Sequence, residues 1–145
     1  KCRAAGSAGS GTAGTLPARY APAEWVRASL NELAQARASF DQRNARAGLA
    51  GCRRAAGVAL NGVLALADAP DPAYGRTYVD HLQALARDGA APEDVREAAR
   101  HLAEAPLPGG DFVVLRTSAS NQRTLDAAET VMAHAYALVV RAGAM

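Results

Sequence analysis

The stretch GLAGCRRAAGVALNGVLALA, Gly48 to Ala67, decides the fold of this 145-residue chain. Turning about 100° per residue from Arg43 gathers Arg46, Arg53, Arg54 and Asn61 into one arc of a helix, opposite Ala45, Leu49, Cys52, Ala56, Ala59, Leu60 and Val63. The second half, with Val58, Leu60, Val63, Leu64 and Leu66, is apolar nearly all round, which predicts the most enclosed helix of a bundle. Gly48, Gly51, Gly57 and Gly62 each cost roughly 1 kcal/mol relative to Ala inside a helix, so another helix or a ligand is expected to approach closely. The helix is expected from about Asn44 to Ala67, because Pro70 and Pro72 in DAPDP forbid continuation.

The same stretch contains a Leu-Ala-Gly-Cys box of the kind at which bacterial lipoproteins are cut. Such processing needs an apolar run of ~7 to 15 residues immediately upstream. Cys52 is instead preceded by FDQRNARAGLAG, with three charges, and is expected as a small buried apolar residue. From Gln42 to Ala67 there is no acidic residue. Arg43, Arg46, Arg53 and Arg54 therefore form a candidate phosphate or RNA surface, since guanidinium forks match phosphate oxygens bidentately. The alternative pairs them with Glu24, Glu32, Asp41 or the acids of the fourth helix.

Around this helix the composition is that of one all-α domain: 37 of the 145 residues are alanine, 5% are aromatic, and strand signals are nearly absent. Pro22 and Glu24 open a first helix, Ala23 to about Gln42, with Val26, Leu30, Leu33 and Phe40 on one stripe. GRTYVDHLQALARDG supplies a third, with Tyr78, Leu82 and Leu85 on one side and Gly89 as its stop. Pro92, Glu93 and Asp94 open a fourth. PLPGGDFVVLRTSAS breaks helicity, Phe112 to Leu115 suit a short extended piece, and Ser120 is expected to cap the next helix. That last helix, about Asn121 to Arg141, spaces Leu125, Ala128, Met132, Ala135 and Val139 as 3, 4, 3, 4, a heptad seam for a core or a dimer interface, with Tyr136 flanking it. An antiparallel bundle of four to five helices is expected over residues 21–145.

Residues 1–20 are expected as a flexible tail, because AAGSAGSGTAGT buries too little apolar surface to fold. Cys2 at its start suits a lipid-tethered periplasmic protein, but Lys1 is wrong for that processing, and a disordered or expression-derived tail fits better. The longest apolar run, Gly57 to Ala67, is interrupted by Asn61 and too short for a transmembrane segment, so a cytoplasmic location is expected. Two cysteines make no disulfide framework, and no His or Cys stands at metal-ligand spacing. PLPGGD has too few glycines and no Lys for a phosphate loop; no metal or other cofactor is expected. His81, His101 and His134 are scattered and read as surface or boundary residues. Asp80 beside His81 is no dyad, because adjacent helical residues point about 100° apart.

ASLNELAQARASFDQRNARAGLAGCRRAAGVALNGVLALA, Ala28 to Ala67, resembles the first helix, short break and long Ala-rich second helix of the HEPN domain, a small antiparallel helical bundle. LNGVLAL stands for that family's apolar run, DHLQALA is similar to the opening of its third helix, and LDAAETVMAHAYALVV to its closing helix. The resemblance covers about Ala23 to Arg141. It implies kinship with metal-independent ribonucleases, whose signature is an Arg followed four to six residues later by a His, paired across a homodimer. Other members partner minimal nucleotidyltransferases or bind nucleotides without cleaving them.

Arg116, in VVLRTSASNQ, matches that Arg, but five residues on stands Asn121, and no His follows until His134. Asn hydrogen-bonds a phosphate but cannot act as a general acid or base. The resemblance therefore implies a homodimer, joined through the last helix, that binds RNA, a nucleotide or a protein partner such as a minimal nucleotidyltransferase without catalysis. Arg116 and Asn121 would contact phosphate, assisted by Arg53, Arg54 and Arg46. The alternatives are a divergent metal-independent ribonuclease in which Asn121 positions substrate, and a structural or interaction module of the cell envelope, lipid-tethered through Cys2.

Overall fold

A computed structural model describes residues 20–107 and 118–145. Among them are five α-helices and no strand: α1 Pro22–Asp41, α2 Ala45–Leu64, α3 Tyr78–Ala86, α4 Glu93–Glu104 and α5 Ser118–Arg141. A single 3-10 turn, Pro72–Tyr74, lies between α2 and α3. The expected all-α bundle is observed, with α2 touching every other helix. The tail up to Arg19 and the expected extended piece at Phe112 to Leu115 lie outside the described residues.

The α1–α2 hairpin is built on a small-residue seam. A Cβ on Gly48 would stand 2.5 Å from the Phe40 ring, one on Gly51 2.8 Å from the Ala36 Cβ, and one on Gly62 2.8 Å from the Pro22 carbonyl. These contacts run in opposite chain order, so the helices are antiparallel and nearly backbone to backbone. Gly57 faces α3, where the Tyr78 ring fills the space of a side chain. Protein, not ligand, thus occupies the approach that the four glycines permit. Each lost methyl is offset by closer contact between the flanking atoms.

The hairpin turn needs one left-handed residue. Asn44 N–H donates to the Ser39 carbonyl at 2.8 Å and Arg43 N–H to that of Phe40 at 3.0 Å, which places Arg43 at φ 61°, a position glycine usually holds. Asn44 then caps α2 by accepting the Ala47 N–H at 3.1 Å. The same motif ends α5, with Gly143 at φ 74°.

Several expectations are corrected. Leu30 is not on the buried stripe of α1; it is 60% exposed. α2 stops at Leu64, three residues before Ala67, and Leu66 is exposed in the turn that follows. α3 ends at Ala86, before Gly89, because the Asp88 side chain takes the Ala90 N–H at 2.9 Å and turns the chain there. Ser120 is no cap. α5 begins at Ser118, and the Ser120 carbonyl accepts from the Thr124 hydroxyl inside the helix. The seam Leu125, Ala128, Met132, Ala135 and Val139 is buried within the chain itself, against α1, α2 and α4. The core of the bundle uses it.

Candidate functional site

The arginine stripe of α2 is divided among three surroundings. Arg53 crosses to the end of α4, where its Nε donates to the Leu102 carbonyl at 2.7 Å and its Nη2 to the Ala105 carbonyl at 2.8 Å and the Ala103 carbonyl at 3.5 Å. These are among the carbonyls a helix leaves without partners at its C-terminus, where the dipole also favours a cation. Burial lowers the pKa of this guanidinium, but not enough to discharge an arginine. Arg54 turns the other way, its Nε donating to Glu32 of α1 at 2.7 Å, the pairing that was the alternative for this stripe. Arg46 is exposed in the first turn of α2, two helical turns from Arg53. Asn121 lies partly buried in the first turn of α5. Arg116 falls outside the described residues, so its convergence with Arg53 is not part of the structure described. Arg53 and Arg54, both expected to assist at a phosphate, are directed to different neighbours, the one to the end of α4 and the other to α1.

Cys52 is fully buried, as expected. His81 is not a boundary residue but a core one, 3% exposed. Its Nδ1 lies 2.6 Å from the Tyr74 carbonyl and its Nε2 3.0 Å from Asn61 Oδ1. Asn61, the one polar residue in the apolar half of α2, is thereby explained as a partner for this imidazole. His101 Nε2 stands 3.1 Å from the Thr124 hydroxyl and ties α4 to α5. Asp80 completes a capping box with Thr77, and the backbone N–H groups of Thr77 and Arg76 hold its carboxyl below the usual range. All three groups are tied into structural contacts. No cluster of His, Cys, Asp and Glu among the described residues is arranged to hold a metal ion, and no described helix is long and apolar enough to cross a membrane.

What the structure does present is a groove of about 430 Å³ between α1 and α5. Val26, Leu30 and Leu33 form one wall, Met132, Ala133 and Tyr136 the other, and Met145 lies at one end. Arg27 of α1 and Glu129 of α5 also line it, and the Glu129 carboxylate stands 4.0 Å from the Arg37 guanidinium of α1. Leu30 is 60% exposed and Tyr136 51%, with Val140 and Met145 exposed beside them. Sequence reasoning missed this face, although a signal was present. Glu129, Ala133, Tyr136 and Val140 form a second stripe on α5 at spacings of 4, 3 and 4, rotated from the core seam.

No protein-family model, no curated protein and no solved structure matches this chain.

Proposed function

We propose that this protein is a HEPN-like binding module that works as a homodimer without catalysis of its own, its two copies joined through the α1–α5 groove. One observation carries the reading: the groove is an exposed apolar surface on one face of the bundle. It contains a recess beside two projecting side chains, Leu30 and Tyr136, and one charge of each sign, Arg27 on α1 and Glu129 on α5. A two-fold contact needs that combination, because every patch must meet its own copy. Projecting groups then fill the facing recess, and Arg27 of each copy meets Glu129 of the other, which shares its carboxylate with Arg37 of its own chain. The helical order and the enclosed second helix support the HEPN-type architecture. The buried seam of α5 supports placing the dimer contact on the helix's other stripe.

Sedimentation equilibrium of the wild type and of Leu30→Asp tests this. The wild type is expected to sediment as a dimer at micromolar concentrations, and Leu30→Asp as a folded monomer with an unchanged helical spectrum. Charge reversal supplies a stricter form: Arg27→Glu and Glu129→Arg each weaken the dimer alone and restore it together. A wild type that stays monomeric at high concentration overturns the reading. So does tight, salt-sensitive RNA binding by a monomer whose groove is mutated.

A further inference from the structure

On the other flank of α5 lies a second, partly open cavity, of about 260 Å³, bounded by the end of α2, the 3-10 turn and the end of α3. Its walls are aliphatic, with Leu60, Val63, Leu85 and Leu138 prominent. Its polar groups are Asp71, Tyr74, Asp88 and His134, and no lysine or arginine lines it. From this lining the geometry points to a binding site for a compact organic amine in its protonated form, one ring or short alkyl body carrying an ammonium group.

Size sets the body of the ligand. A dry cavity of about 150 Å³ accepts benzene, so this one accommodates a ring with a short substituent. Charge sets the head group. Both carboxylates already take a donor from their own turn, Asp71 from Ala73 N–H and Asp88 from Ala90 N–H, each at 2.9 Å, and Asp88 also accepts the Tyr74 hydroxyl at 2.8 Å. Those contacts fix their positions, and each ionised carboxylate has about four acceptor sites, so capacity remains for a ligand that brings donors. An ammonium brings three. The groups facing His134 are Asp88 and Asp94, which favour its charged form, and Arg141, which opposes it; burial is the largest influence and keeps its pKa below the ordinary value. A neutral imidazole offers an acceptor nitrogen and does not repel a cation. A carboxylate ligand, by contrast, would meet Asp71 and Asp88 with no lysine or arginine in the lining of this cavity.

Phenethylamine, phenethyl alcohol and phenylacetate test the assignment, with binding followed by the methyl resonances of Leu60, Val63, Leu85 and Leu138. The amine is expected to shift these signals saturably. The alcohol should bind at least about tenfold more weakly, and the acid not at all. Asp88→Asn and Asp71→Asn should each weaken the amine by up to about fivefold while leaving the alcohol unchanged. Asp71→Asn keeps an oxygen to accept the Ala73 N–H, so it remains informative if Asp88→Asn loosens the Tyr74 contact. Equal binding of amine and alcohol, tighter binding of the acid, indifference of the amine to both substitutions, or no shift with either phenethylamine or cyclohexylamine overturns the proposal.

Discussion

Replacing Arg53 by alanine separates a structural cation from a ligand-binding one. In the structure its guanidinium makes two short hydrogen bonds, at 2.7 Å and 2.8 Å, and one marginal contact at 3.5 Å, all with carbonyls at the end of α4. A hydrogen bond to a charged group contributes about 1.5–3 kcal/mol when it is buried. This site is only partly buried, and water can take up the vacated carbonyls, so the lower end applies to each short bond. The dipole contribution at the helix end adds about 0.3–1 kcal/mol, and rehydration of the carbonyls returns about 1–2 kcal/mol. The net expectation is a loss of about 2 kcal/mol. For a folded unit of about 120 residues, that lowers Tm by roughly 8 °C.

Urea denaturation measures the loss directly, with Arg54→Ala as the internal comparison. Arg54 and Glu32 have side chains 42% and 24% exposed, a setting in which ion pairs contribute about 0–1 kcal/mol. Arg53→Ala should therefore lower the urea midpoint clearly more than Arg54→Ala, and added salt should erode only the smaller effect. Arg53→Lys should fall between wild type and alanine, because an ammonium reaches fewer carbonyls than a fork. A loss below about 0.5 kcal/mol for Arg53→Ala, at or under the typical worth of one hydrogen bond, would refute the capping role. Arg53 would then be open to an anionic ligand after all.

Three further outcomes follow from the same structure. Gly62→Ala should destabilise the fold by about 1–3 kcal/mol, since the added carbon would stand 2.8 Å from the Pro22 carbonyl, and Gly89→Ala, with nothing within 4 Å, should not; thermal melts of the pair check this. Arg43→Gly should raise stability by about 0.5–1 kcal/mol, because Arg43 sits at φ 61° where glycine carries no Cβ penalty; an unchanged or lower urea midpoint would count against it. His134 has a folded pKa below its ordinary 6.5, so the unfolded chain takes up its proton first as pH falls. Its contribution is full above about pH 6.5 and is lost toward the folded pKa, so Tm should fall less between neutral and mildly acidic pH in His134→Gln than in the wild type.

The helices were legible because their signals are local. Pro22 with Glu24, Pro92 with Glu93 and Asp94, and Asn44 mark their starts within one turn, and the structure begins α1, α4 and α2 at those places. The seam on α5 was legible for the same reason, as a period repeated over about four turns. Leu30 was misplaced because its stripe spans two environments: Val26 and Leu33 meet the core, while Leu30, between them, projects beyond it. His81 was misjudged because its partners lie 7 and 20 residues away, beyond any local pattern. The Tyr74 to Asp88 contact, 14 residues apart, was hidden in the same way.

Helix α2 shows most clearly how a charge pattern overstates a site. An acid-free segment reveals only that its arginines lack neighbours three or four residues away on their own helix. Arg54 finds its counter-charge 22 residues off, and Arg53 finds carbonyls 49 and 52 residues off. The carbonyls leave no trace in a sequence, since every residue carries one and only a helix end turns it into an acceptor for a cation. An apolar stripe is harder to satisfy by such means: a side chain like Tyr136 that the core leaves exposed keeps its driving force until another surface covers it. The arginines that drew attention first are therefore structural where their partners are seen. Among the described residues, the apolar surface that stays uncovered lies instead between α1 and α5, where Leu30 and Tyr136 are exposed.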